Sequence, residues 1–167
     1  MANSLRASAP VLFGLVGVLG VWVLIKTTIG GGGVAPVPAA FEKGLTLDAA
    51  IAQSKTSGQP VVAFATADWC GPCQQMKRGA LADARVEGFL RGRTLAVYVD
   101  VDVDRAAAGK LSVTGIPATV VIAGDTVVSR VSGVMSPVDY LSYLTAAVDL
   151  ANNPAEVEKL RSERGVR

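Results

Sequence analysis

The 167-residue chain has no histidine and only two cysteines. The first absence removes the imidazole as a general base or metal ligand. Together they leave a mononuclear structural zinc site within one chain short of its four ligands. Aromatic residues amount to only 5% and the basic residues are scattered, which argues against a stacking platform for nucleic-acid bases. Neither sign of charge dominates: 16 Lys plus Arg face 14 Asp plus Glu, for a formal charge of +2, so no nucleic-acid partner is expected. No internal repeat is visible. The glycine run that opens at Gly30 lacks the Gly-Lys-Ser/Thr ending and strand context of a phosphate loop. The alternating Asp100, Asp102 and Asp104 lack the turn glycine and closing Glu of a calcium loop, so they read as a solvated strand end and helix cap, with no metal.

The two cysteines that are present stand in Trp69-Cys70-Gly71-Pro72-Cys73, spaced for one reversible disulfide. A proline between them suits the first turn of a helix, where its missing N–H would be unpaired anyway. A thiol at a helix N-terminus lies beside free N–H groups and the positive end of the dipole, which stabilises its thiolate. Cys70 is therefore the expected nucleophile and Cys73 the resolving thiol. A purely structural staple is a weak alternative, because a loop this short removes little entropy from the unfolded chain.

The N-terminal region is organised differently. Pro10 to Ile25 carries no charge, and Gly14, Gly17 and Gly20 suit packing in a membrane. These sixteen residues would make roughly 24 Å of helix, and flanking residues extend the span toward the roughly 30 Å of a hydrocarbon core. Residues 1–9 form a short leading segment and 10–29 a transmembrane anchor; the alternative is a cleaved signal peptide, leaving a soluble exported domain. An anchor ahead of a redox domain points to export, so the domain is placed on the periplasmic or extracytoplasmic face. Residues 30–44 read as a Gly/Pro linker whose eleven residues from Gly30 to Ala40 extend to at most about 36 to 40 Å.

From Leu45 the pattern becomes globular. Thr46 caps a helix through Leu47, Ala50 and Ile51 that ends near Gly58; 60–66 is a buried strand; the redox helix runs over about 71–81. Asp83 caps a further helix, 94–99 is a strand, and 105–110 is a short helix. Strands 118–123 and 126–132 are joined by Gly124-Asp125, a two-residue hairpin signal. Ser136 starts the last long helix, which ends at Asn152-Asn153-Pro154. Residues 151–167 read as a charged, solvated tail. Alternating helices and strands imply an α/β domain over 45–150.

Strand, Trp-Cys-Gly-Pro-Cys, helix, strand, then Thr114-Gly115-Ile116-Pro117 opening a hairpin, Gly133 after it, and a final helix: this order resembles the thioredoxin family across roughly residues 45–150. Ala67-Asp68-Trp69-Cys70, with Leu81-Ala82-Asp83 and Val86, is similar to the thioredoxin-like output domain of envelope disulfide reductases. The resemblance implies a thioredoxin fold, a central mixed sheet flanked by helices. It makes Ile116–Pro117 a cis peptide against the disulfide, with Ile116, Pro117 and Trp69 as substrate-binding residues and Trp69, Gly71 and Pro72 as the active-site loop. The redox-active Cys70–Cys73 disulfide takes the place of a cofactor. One departure stands out: where the family carries a buried Asp six residues before the first cysteine, this chain has Phe64, and Tyr98 aligns with the Lys that faces that Asp. Asp68 is expected to be exposed and is not assigned as a base.

Together these features predict a membrane-tethered thiol–disulfide oxidoreductase that reduces protein disulfides. The family associates Gly-Pro between the cysteines with reducing potentials, and with no second cysteine pair in the sequence the electrons come from a separate donor protein. Two alternatives are a client-binding or assembly module with little turnover, and a disulfide oxidase or isomerase.

Overall fold

The computed structural model describes residues 33–41 and 43–165. The expected anchor over 10–29 lies outside the described residues; among the described ones, no helix is long and apolar enough to cross a membrane. In chain order the elements are α1 (Leu47–Ser57), β1 (Val61–Thr66), α2 (Gly71–Arg78), α3 (Ala84–Arg93), β2 (Leu95–Asp100), α4 (Arg105–Lys110), β3 (Ala118–Ala123), β4 (Thr126–Ser132), α5 (Pro137–Ala151) and α6 (Pro154–Gly165). Short 3-10 turns lie at Ala39–Phe41 and Ala80–Ala82. The second of these ends the redox helix earlier than the apolar spacing suggests: Gly79 stops α2, and a tighter turn continues to Ala82.

The strands form one mixed sheet in the order β2-β1-β3-β4. β1 runs parallel to β2 and antiparallel to β3, and β3 and β4 form a hairpin. All six residues of β1 are buried, which explains why it reads as an unbroken apolar run: both faces of the strand are covered. Val62 and Phe64 point into one core with Met76, Leu90, Tyr140 and Leu144. Val61 and Ala63 point into a second core with Leu47, Val97, Leu111 and Val120. The helices start where short polar side chains cap them. Thr46, Asp83, Asp104 and Ser136 accept the N–H of Ala49, Arg85, Ala107 and Asp139. Gly124 takes the positive φ, 61°, that the first position of the two-residue hairpin loop requires.

Two segments differ from the sequence reading. Residues 34–41, expected as free linker, form a strap on the domain. Ala35, Ala40 and Phe41 are buried, and the Phe41 ring lies 6.1 Å from those of both Phe64 and Tyr98. Arg91 Nη2 donates to Ala39 O at 2.9 Å. An aromatic residue that finds an apolar slot outweighs the flexibility suggested by the glycines before it. The expected solvated tail is also ordered. Asn153 Oδ1 accepts the Ala155 N–H, Pro154 begins α6, and Val157 is buried against the first core. Arg161 donates to Thr126 Oγ1 and Asp125 Oδ1, both at 3.3 Å. One buried apolar residue per turn is too weak a periodic signal to stand out among charges.

The first core contains one buried polar pair, Tyr140 Oη and Thr119 Oγ1 at 3.0 Å. Burial pushes the Tyr140 hydroxyl pKa up, so it stays protonated. Tyr140→Phe is expected to cost about 1 to 3 kcal/mol in urea unfolding, because Thr119 is left unsatisfied. The double variant with Thr119→Val should recover part of that loss; a double variant less stable than the single one would contradict this role for the pair.

Candidate active site

The site forms where β1 ends. After Thr66 the chain turns through Ala67, Asp68 and Trp69, and Cys70 N–H donates to Ala67 O at 3.3 Å. Cys70 is the N-cap of α2, with Pro72 in the first helical turn. Cys70 and Cys73 are joined in a disulfide with Cα atoms 5.2 Å apart. Cys70 Sγ accepts the Cys73 N–H at 3.2 Å, so the sulfur takes the place usually held by a capping oxygen. A negative sulfur at this position is favoured by the same N–H and by the helix dipole. The two sulfurs are not equivalent. Cys73 is completely buried and Cys70 is 4% exposed, packed with Ala67, Val101 and Ile116.

The Ile116–Pro117 peptide is cis, and Ile116 packs against the cysteine cluster. Pro117 O accepts the N–H of Gly133 at 2.8 Å, and Gly133 has a φ of 102° that side chains rarely adopt. Gly71 and Pro72 are exposed at the start of α2. Trp69 is 72% exposed, and its indole Nε1 donates to Asp102 Oδ2 at 2.7 Å. Asp102 therefore belongs to the site through the indole it holds. Its distance of 33 positions along the chain hid that link, although the acidic strand end itself was legible.

Four further residues complete the surroundings. Phe64 is fully buried directly opposite Tyr98 in the β1–β2 register, so the position of the family's buried acid is filled by an aromatic contact. Gln74, also buried, accepts the Ala35 N–H at 2.6 Å and donates to Asp68 O at 3.0 Å. Lys77 has a side chain only 1% exposed; its Nζ lies 3.5 Å from Asp68 Oδ1 and 5.2 Å from the Tyr98 ring centroid. Asp68 itself is exposed on the outer side of that pair. Gln74 and Lys77 carried no signal in the sequence, because a polar helix following a redox motif reads as a solvated face. Thr66, on the same face of β1 as Phe64, buries a hydroxyl without a partner among the described residues.

A reversible dithiol at a helix N-terminus beside a cis-proline loop defines a class, and the comparisons agree with it. The profile of the thioredoxin-like domain matches residues 47–147, and the chain belongs to that family. Thioredoxin 1 of Chlorobaculum tepidum is 36% identical over 79 residues, 47% of this chain and 75% of that protein. The thiol:disulfide interchange protein DsbD of Ralstonia nicotianae is 33% identical over 110 residues, 63% of this chain but only 18% of that much longer protein. Among solved structures, a thioredoxin from Thermus thermophilus superposes with a TM-score of 0.56 at 26% identity, over 63% of this chain and 85% of the other. The protein is a thioredoxin-like thiol–disulfide oxidoreductase with Cys70 and Cys73 as its redox pair.

Asp102→Ala is expected to free the Trp69 ring. A charge-assisted bond worth about 1 kcal/mol at an exposed site corresponds to roughly a fivefold change in the docked population. Fluorescence anisotropy of Trp69, read in a Trp22→Phe background so that one indole reports, should fall. Unchanged anisotropy would show that Asp102 does not hold the ring.

Proposed function

We propose that the chain is a membrane-tethered reductase of protein disulfides, with its domain on the extracytoplasmic face. The observation that carries the reductase chemistry is the asymmetry of the pair. Cys70 caps α2 with its sulfur on a backbone N–H, while Cys73 lies fully buried behind it. Cys70 thiolate attacks a substrate disulfide and forms a mixed disulfide. Cys73 then attacks Cys70, releasing the reduced substrate and closing the Cys70–Cys73 bond. Ile116, packed against the cysteine cluster, its cis partner Pro117 and the exposed Trp69 are the residues assigned to substrate binding. Gly71-Pro72 between the cysteines favours the reducing direction. Re-reduction of the pair is assigned to a redox partner that returns the two electrons. The tether rests on the uncharged run from Pro10 to Ile25, and the similarity to a protein named for thiol:disulfide interchange supports disulfide exchange with clients.

Phe64 favours a second reading, a client-binding module with little turnover, because no buried acid takes the proton of Cys73. Insulin reduction by the full chain separates the two. Turnover should be measurable and should drop to background in Cys70→Ser; turnover that survives this substitution, or none in the native chain, would sink the reductase. Cys73→Ser expressed in cells should accumulate mixed disulfides through Cys70, and recovery of cytosolic clients alone would overturn the placement. Equilibration with glutathione tests direction, since about 30 mV is tenfold in the equilibrium constant of a two-electron couple. Resistance of the chain to alkaline carbonate extraction tests the tether.

A further inference from the structure

Lys77 is the only charged residue that is buried among the described residues. Burying an ammonium costs far more than burying a methionine of similar length, so packing alone does not account for it. Its position on α2 is one turn after Cys73, and residues four apart share a helix face with Cβ atoms about 6 Å apart. Cys73 and Lys77 are both buried and thus lie on the same covered face. The ammonium is held at the base of the active-site loop by Asp68 and over the Tyr98 ring. On the sheet side of this face, Phe64 supplies no acid that could remove a proton from Cys73.

We propose that Lys77 is a positioning residue for the resolving step: its buried ammonium favours the Cys73 thiolate electrostatically, where a buried acid would otherwise accept the proton. The proposal rests on the Cys70–Cys73 exchange and holds in either direction of net electron flow. In the step, the Cys73 thiol gives its proton to water. The Cys73 thiolate attacks Cys70 Sγ of the mixed disulfide, the Cys70–substrate S–S bond breaks as the Cys70–Cys73 bond forms, and the substrate sulfur leaves as a thiolate that takes a proton from solvent. Two electrons pass from the dithiol to the substrate.

The other charged or titratable groups around this face are few. Asp68 comes from the loop before α2, Tyr98 and Asp100 from β2, Asp102 from the loop after it, Arg78 from α2 itself and Glu87 from α3. Asp102 is engaged by Trp69, and Glu87 lies 3.1 Å from Arg91. β1 and the strap over 33–41 contribute none. Among the described residues Lys77 is thus the one buried cation, one helical turn from Cys73 on the same covered face, and Asp68 is the carboxylate paired with it.

The test uses the full chain, reduced, and a chromogenic aryl disulfide. Attack by Cys70 releases a first aryl thiolate at a rate that depends on reagent concentration. Attack by Cys73 releases a second at a rate that does not, and the pH dependence of that second phase reads the Cys73 thiolate. Lys77→Met is expected to raise the midpoint of the second phase by about one unit, a tenfold loss of rate at neutral pH that closes at alkaline pH. Lys77→Arg should keep the midpoint within about 0.3 unit, because the charge is retained. A loss that is uniform across pH, a shift confined to the first phase, or an Arg variant as impaired as Met would overturn the proposal. Should Lys77→Met fail to fold, Asp68→Asn at an exposed carboxylate gives the opposite test: freeing the ammonium from its counter-charge should lower the midpoint, and an unchanged or raised midpoint refutes the role. Because the aryl disulfide needs no protein client, a chain that failed to reduce insulin would still report on Lys77.

Discussion

The reactive end of this domain depends on β1 being sealed on both faces and both edges. Its six residues are buried, and it pairs with β2 along one side and β3 along the other. A slip of one residue would exchange the Val61/Ala63 set with the Val62/Phe64 set between two differently shaped cores, so the register is fixed from both directions. The strand end is fixed in turn: Val101 N–H donates to Thr66 O at 2.9 Å, closing the parallel pairing at its last residue. Only three residues separate that point from Cys70, too few to wander. The position of the disulfide is therefore a consequence of strand packing, and α2 begins where the strand delivers it.

That placement has an electrostatic consequence. A helix packed over the C-terminal end of a sheet offers its N–H groups to Cys70 without any ionisable partner, and this favours a thiolate at the outer cysteine. The inner cysteine gains less from the dipole, because its own N–H already points at Cys70 Sγ. It packs with Ala67, Val101 and Ile116, while Phe64, Phe41 and Tyr98 are in mutual contact in the first core. Polar groups reach the interior from the helix instead, as Gln74 and Lys77. In this region β1 contributes the Thr66 hydroxyl but no charge, and the buried charge comes from the helix.

Much of this was legible in the sequence because it is local. The apolar run of β1, the caps at Thr46, Asp83 and Ser136, the Gly124-Asp125 hairpin and the Cys-Gly-Pro-Cys turn each declare themselves within a few residues. The thioredoxin-like order of these pieces then fixed the topology. What escaped is non-local. Lys77 and Gln74 carry polar side chains on a helix of eight residues, and nothing in that spacing says that the polar side faces inward. The Trp69–Asp102 bond joins two loops that meet only after β1 and β2 pair. The strap was hidden by composition: glycine and proline read as linker, and a single Phe41 decides otherwise. Val157 does the same for α6.

The strap fixes how the described chain enters the domain. The described chain enters the fold at Ala35, whose N–H bonds to Gln74, and the amide of the same Gln74 bonds to Asp68 O. One buried side chain thus links the entering backbone to the loop that carries Trp69 and Cys70. Residues 34–41 are packed down on the domain through Ala35, Ala40, Phe41 and the Arg91–Ala39 bond. The reactive loop and the strap are thus joined by hydrogen bonds within one compact unit.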